Sequence, residues 1–280
     1  MASSKLSFCA NVVRTNDRDR YLPVFFAPAE HRDALFALYA FNIEVAKIRE
    51  TVSEPMIREI RLQWWREAID DAFNGKIQSH EVMEALGPVI RKRGLSRKHF
   101  DNFFDAREYD LYDQPLSTIA ALEEYAVGTS ATLNWLALEL LDASGKSENE
   151  AVRHVGVAWA LVGLLRALPF HASAKRVYLP SDLMARNSFD RERLIEFPPP
   201  GKLSVAVAEI ADIARERLSA SRVFTTHVAA AALPVLLSAV IASAHLRHLA
   251  YVHYDPYALN SRQPALLPLL LTWNAFFKRY

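Results

Sequence analysis

Residues 156–180 read GVAWALVGLLRALPFHASAKRVYLP, and this stretch decides the fold. Residues 156–168 are apolar on every side of a helical wheel, with Arg166 the sole charge. A helix that is apolar all round belongs in the middle of a protein or in a membrane. An arginine inside it is costly unless something pairs with it. Glu44 and Glu139, carboxylates in two other apolar runs, are its expected partners, and Arg166→Ala is expected to cost a few kcal/mol. The segment breaks at Pro169, passes His171 and a short basic loop, and closes on Tyr178-Leu179-Pro180.

A second informative run lies nearer the N-terminus. Leu38-Tyr39-Ala40-Phe41 is followed by Asn42-Ile43-Glu44-Val45-Ala46-Lys47-Ile48-Arg49-Glu50. Together the two runs resemble the signatures of the squalene/phytoene synthase family. There a central helix of the form G-x-A-x-x-L-x-N-x-L-R-D-x-x-x-D leads into Y-L-P. The register holds at Gly156, Ala158, Leu161, Leu165, Arg166, Tyr178, Leu179 and Pro180. The family's asparagine position holds Gly163, and its two aspartate positions hold Ala167 and His171. In the first signature, L-Y-A-F/W-C-R-x-x-D-D/E-x-x-D, the aspartate positions hold Ala46, Lys47 and Glu50.

Those aspartates carry the chemistry of the family, because Mg2+ requires hard oxygen ligands and is held by carboxylates together with phosphate oxygens. Two acids at i and i+4 share a helix face and reach one ion. Alanine offers no ligand, histidine suits Zn2+ or Cu2+ better than Mg2+, and Lys47 places a cation where a cation should bind. The substitutions themselves resemble a non-catalytic branch of the family, which contains a mitochondrial assembly factor for respiratory complex I. That branch reads A-F-N-x-E-x-A and L-R-A-x-P-x-H, as residues 40–46 and 165–171 do here.

The resemblance implies an all-α, isoprenoid-synthase-like bundle around a central apolar cavity, one domain over residues 1–280, with no catalytic residue, metal or cofactor. It implies protein partners in complex I assembly. Tyr39, Asn42, Glu44, Arg166, His171 and Tyr178 are the candidate residues of a cavity that retains a lipid or prenyl ligand. The expected place is the bacterial cytoplasm or the inner membrane's surface, or the matrix side in a mitochondrion, without secretion. Two alternatives stand beside this. One is an active head-to-head prenyltransferase using prenyl diphosphates, with Mg2+ held by Glu44, Glu50 and Glu139. The other is a lipid or isoprenoid carrier with no reaction.

Composition narrows the classes. Lys and Arg number 33 against 32 Asp and Glu, so no field favours nucleic acid. The single cysteine, Cys9, excludes a disulfide framework. The first twenty residues contain no continuous apolar run of the kind a secretory signal needs. Residues 228–244 and 265–277 are free of charge, but both contain proline and fall short of the ~20 residues a membrane span needs. Both are expected to be buried core helices.

Apolar residues recur with helical periodicity along nearly the whole chain. The spacing predicts helices over 30–50, 54–75, 80–92, 97–111, 117–143, 148–168, 203–227, 234–253 and 263–278. Pro198-Pro199-Pro200-Gly201 is the clearest break.

Other motifs have plainer readings. Asp101/Asp105 and Glu67/Asp71 have metal-ligand spacing but stand in charged helices, where such pairs are ordinary surface. The run 91–99, RKRGLSRKH, fits either anionic headgroups or a solvated helix junction. Trp64-Trp65 reads as packing, and His171 as a hydrogen-bonded structural histidine.

Overall fold

A computed structural model describes residues 7–112, 114–259 and 266–280. Helix α1 (Phe8–Asn16) is capped by the Ser7 hydroxyl, and α2 (Arg18–Val24) by the Asp17 carboxylate. Both are shorter than the periodicity reading resolves, and that reading missed them. α3 (Ala29–Ala46) stops four residues before the expected end, and the short α4 (Ile48–Thr51) follows a break at Lys47. α5 (Pro55–Phe73) begins with a proline, whose missing N–H costs nothing in a first turn. α6 (Glu81–Arg93) ends at Gly94, whose φ of 61° lies in the left-handed region that glycine enters freely.

α7 (Arg97–Glu108) runs into a tighter turn, Tyr109–Leu111. The expected single helix over 117–143 is three pieces: α8 (Ile119–Ala126), a widened π-type turn (Val127–Ala131) and α9 (Thr132–Leu140). The central helix α10 (Lys146–Arg166) ends at Ala167, two residues before the expected break. Pro169 instead opens α11 (Leu168–Ser173), so His171 sits inside a short helix. Next come α12 (Ser181–Arg186) and α13 (Arg191–Ile195), again too short for periodicity to reveal. The chain finishes with α14 (Leu203–Arg222), α15 (Leu233–Leu236), α16 (Ser238–Tyr251) and α17 (Leu267–Phe276).

α10 is the axis of the bundle. It packs against α14, α9, α16, α8 and the π-type turn. Its all-round apolarity is explained by this position. Gly156 is where the approach is closest: a Cβ there would lie 2.5 Å from the Ala131 Cα. The apolar core runs without interruption from Cys9 to Tyr280, so the helices beyond the proline break complete the same core.

The segment Ala230–Tyr251 is long and apolar enough to cross a membrane, but it is packed against α10, α14 and α2. This meets the expectation of a core helix for residues 232–244, whereas residues 229–231 at the start of the expected stretch are exposed. The expectation fails for 265–277, whose first residue lies outside the described part. In α17 only Leu267 and Leu271 are buried, and Leu269, Trp273 and Phe276 face outward. Apolar composition alone cannot say which face of so short a helix meets the core.

Candidate functional site

The two motif-bearing stretches converge on a buried polar network. Asn42, on α3, accepts a hydrogen bond of 3.0 Å from Arg107 Nη2. Arg107 Nη1 donates to Asp110 Oδ2 at 2.9 Å and to the Tyr125 hydroxyl at 3.2 Å. Asp110 Oδ1 accepts from the hydroxyls of both Tyr125 and Tyr178, each at 2.9 Å. The His171 ring lies 4.8 Å from that of Tyr178. Beside them, the buried Arg176 pairs with Glu50 at 3.8 Å.

The side chains come from α3, α7, the turn after it, α8, α11 and the loop before Pro180, and burial sets the protonation of the cluster. Burial pushes the phenols of Tyr125 and Tyr178 up, and the charge of Asp110 adds to this. Burial works against the charged form of Arg107, but Tyr125 and Asp110 outweigh it and raise the group. Burial, aided by the cation of Arg176, lowers His171 to about 4, so its ring is neutral near pH 7.

A second cluster ties α2 to α10 and α16. Arg166 Nη1 meets Asp19 Oδ2 at 2.8 Å, and His245 Nε2 meets the same oxygen at 2.9 Å. Burial tends to raise Asp19, but the hydrogen bond from His245 and the charge of Arg166 prevail and lower it to about 2. Arg166 is therefore paired as its chemistry demands, but with a different partner from either expected one. Glu139 instead accepts from the Ser96 backbone N–H at 2.9 Å, at the start of α7. Glu44 lies close enough to Cys9 for its charge to help raise that thiol. Asp19 was missed because nothing local marks a carboxylate as the partner of an arginine 147 positions away.

The remaining candidates have other surroundings. Tyr39 is buried and pushed up to about 12 by that burial, with Arg20 lying 5.8 Å from its ring centre. Arg20 also stacks over Trp159 at 5.3 Å. Lys47 is bonded to Asn16 at the end of α1. Ala46 and Ala167 are partly buried beside the helix breaks, and a Cβ at Gly163 would meet nothing within 4 Å. Arg107, Asp110, Tyr125 and Arg176 escaped sequence reasoning. The one signal for Arg107 and Asp110 was a set of charges amid aromatic residues, Arg107 through Tyr112; nothing local marked Tyr125 or Arg176.

The donor set does not suit a Mg2+–diphosphate grip. Asp110 is hydrogen-bonded to one guanidinium and Glu50 is ion-paired with another, and the neighbours are an amide, two phenols and a neutral imidazole. Glu44, Glu50 and Glu139 do not come together, and among the described residues no group of three or more His, Cys, Asp or Glu can hold a metal ion. Asp105 pairs with Arg66 at 2.9 Å and Asp71 accepts from Gln78 at 2.6 Å. The apolar cavity beside this network, lined by Leu122, Leu161, Leu165, Leu168, His171 and Tyr178, measures ≈ 20 Å³. That is room for about one water, where ligand pockets measure about 300–1,000 Å³.

Comparison with known proteins places the chain in a family. The chain is 31% identical over 280 residues to the Bos taurus protein named NADH dehydrogenase (ubiquinone) complex I, assembly factor 6, covering 100% of this chain and 84% of that protein. Its human counterpart is 30% identical over 274 residues, covering 98% and 82%. A dehydrosqualene synthase crystallised with a ligand shares the fold, with a TM-score of 0.83, 19% identity and 98% and 96% of the two chains covered. The family model described as squalene/phytoene synthase matches residues 13–270. On that match, the chain belongs to the squalene/phytoene synthase family.

Proposed function

We propose that this protein is a non-catalytic member of the family that acts as an assembly factor for respiratory complex I. The observation that carries the reading is the full-length similarity to complex I assembly factor 6, at 31% identity over the whole chain. A shared fold with a synthase does not by itself transmit a synthase's activity. The buried network supports the same reading, since the faces that a diphosphate-ionising enzyme would line with free carboxylates are cross-linked by Arg107 and Arg176. Its partners are then proteins of that assembly process, and its place is the bacterial cytoplasm or the mitochondrial matrix side of the membrane that complex I occupies.

The test has two arms. Deleting the gene is expected to lower assembled complex I on native gels while sterols, hopanoids and carotenoids hold their levels. The purified protein, given Mg2+ and farnesyl or geranylgeranyl diphosphate, is expected to release no pyrophosphate. Release at an enzymatic rate that disappears in Glu50→Gln would defeat the reading. So would a deletion strain with normal complex I and missing isoprenoids.

A further inference from the structure

We propose that α17 is a membrane-docking element that lies in the plane of an anionic lipid surface. Leu266, Leu269, Trp273 and Phe276 are each 65–80% exposed, and Phe277 stands next to them. Their spacing places them along one side of the helix. A continuous apolar face of this kind on a folded surface marks an interaction site rather than chance exposure.

Three observations select a lipid surface as the occupant. The first is length. The 10-residue helix is about 15 Å long, half the ~30 Å of a hydrocarbon core, so it can lie on a bilayer but cannot cross one. The second is polarity. Thr272 and Asn274 turn their side chains back onto the helix carbonyls of Pro268 and Leu270, at 2.9 and 2.8 Å, which lowers the cost of bringing them to a lipid boundary. Tryptophan and phenylalanine beside cations are the side chains that such boundaries favour.

The third is charge. Beyond Asp255 the sequence contains no acidic residue, and Lys278 and Arg279 follow the helix directly. Both are exposed, as is Arg247 in the groove beside α17. Arg279 lies 5.9 Å from the Phe277 ring centre, so cation and aromatic share one edge.

The face is also held in place. Tyr280 is buried, its hydroxyl donating to the Ser221 carbonyl at 2.9 Å, while Arg222 Nε donates to the Tyr280 carbonyl at 3.2 Å. α17 thus packs on α16 and is tied to α14 through Tyr280 at its C-terminal end. The inference rests on this geometry and not on the assembly-factor reading.

The experiment is co-sedimentation of the full chain with phosphatidylcholine vesicles, with and without phosphatidylglycerol, at low and high salt. Wild type is expected to bind the anionic vesicles and to release in high salt. The triple substitution Leu269→Glu, Trp273→Glu and Phe276→Glu is expected to reduce binding by about tenfold or more with an unchanged melting temperature, since these side chains are exposed. Lys278→Glu with Arg279→Glu is expected to weaken it by at least about fivefold per cation. No binding by wild type, equal binding to both vesicle types, or full binding by the triple variant would each overturn the proposal. So would a wild-type dimer on gel filtration that the triple variant converts to monomer without any vesicle effect, because the face would then join two copies of this chain.

Discussion

Asp19 and His171 are both titratable, buried and perturbed downward, yet they act on stability in different pH ranges. The folded Asp19 carboxyl, near 2 against an ordinary 3.8, favours the folded state above about pH 4, and that contribution disappears as pH falls through about 2. Its size is about 2 kcal/mol. Asp19→Asn is expected to lower the melting temperature at pH 7, and the gap from wild type should close between pH 4 and 2. Asp19→Ala, which leaves Arg166 and His245 facing each other with no acceptor between them, is expected to lower the melting temperature further. His171, near 4 against an ordinary 6.5, is buried neutral, so the unfolded chain takes up a proton first. Stability is therefore expected to fall as pH drops from 6.5 to 4, and His171→Phe should flatten that limb of the stability curve. Denaturant unfolding across this pH series measures both.

At the scale of one helix, α10 offers two glycines with opposite requirements. A methyl at Gly156 would strike the Ala131 backbone at 2.5 Å, so α10 and the π-type turn must move apart. Overpacking of this kind costs about 1–3 kcal/mol, more than the ~1 kcal/mol that alanine gains over glycine in a helix. At Gly163 a methyl meets nothing within 4 Å. Only the helix term remains there, so Gly163→Ala is expected to stabilise by about 0.5–1 kcal/mol. Gly156→Ala and Gly163→Ala should thus shift the melting temperature in opposite directions. Equal shifts would mean that α10 does not pack against residue 131 as described.

Across the whole molecule, the Asn42–Arg107–Asp110–Tyr125–Tyr178 network fastens α3, α7, α8 and the loop leading to Pro180 to one another. Asp110→Ala leaves a buried guanidinium without its carboxylate and is expected to cost about 3–5 kcal/mol. Tyr125→Phe and Tyr178→Phe share one acceptor oxygen, so their effects on unfolding free energy are expected to be non-additive by at least about 0.5 kcal/mol. Additive effects would show that the two phenols do not act through Asp110.

Much of this architecture was legible in advance. The all-α class and α10 as the central helix followed from helical periodicity, because repeating apolar positions are a local signal that survives in one dimension. The family register came from the resemblance of residues 38–50 and 156–180 to the family's motifs. Arg166 could be read as needing a partner, since a buried charge without one is too costly to persist. Which partner it takes was settled by the fold: Asp19 reaches it only once tertiary packing brings α2 to the C-terminal end of α10, and sequence distance carries no energy term that could announce this. The same holds for α17. Its composition shows that it is apolar, but whether that surface lies inward or outward depends on where the core has room for it.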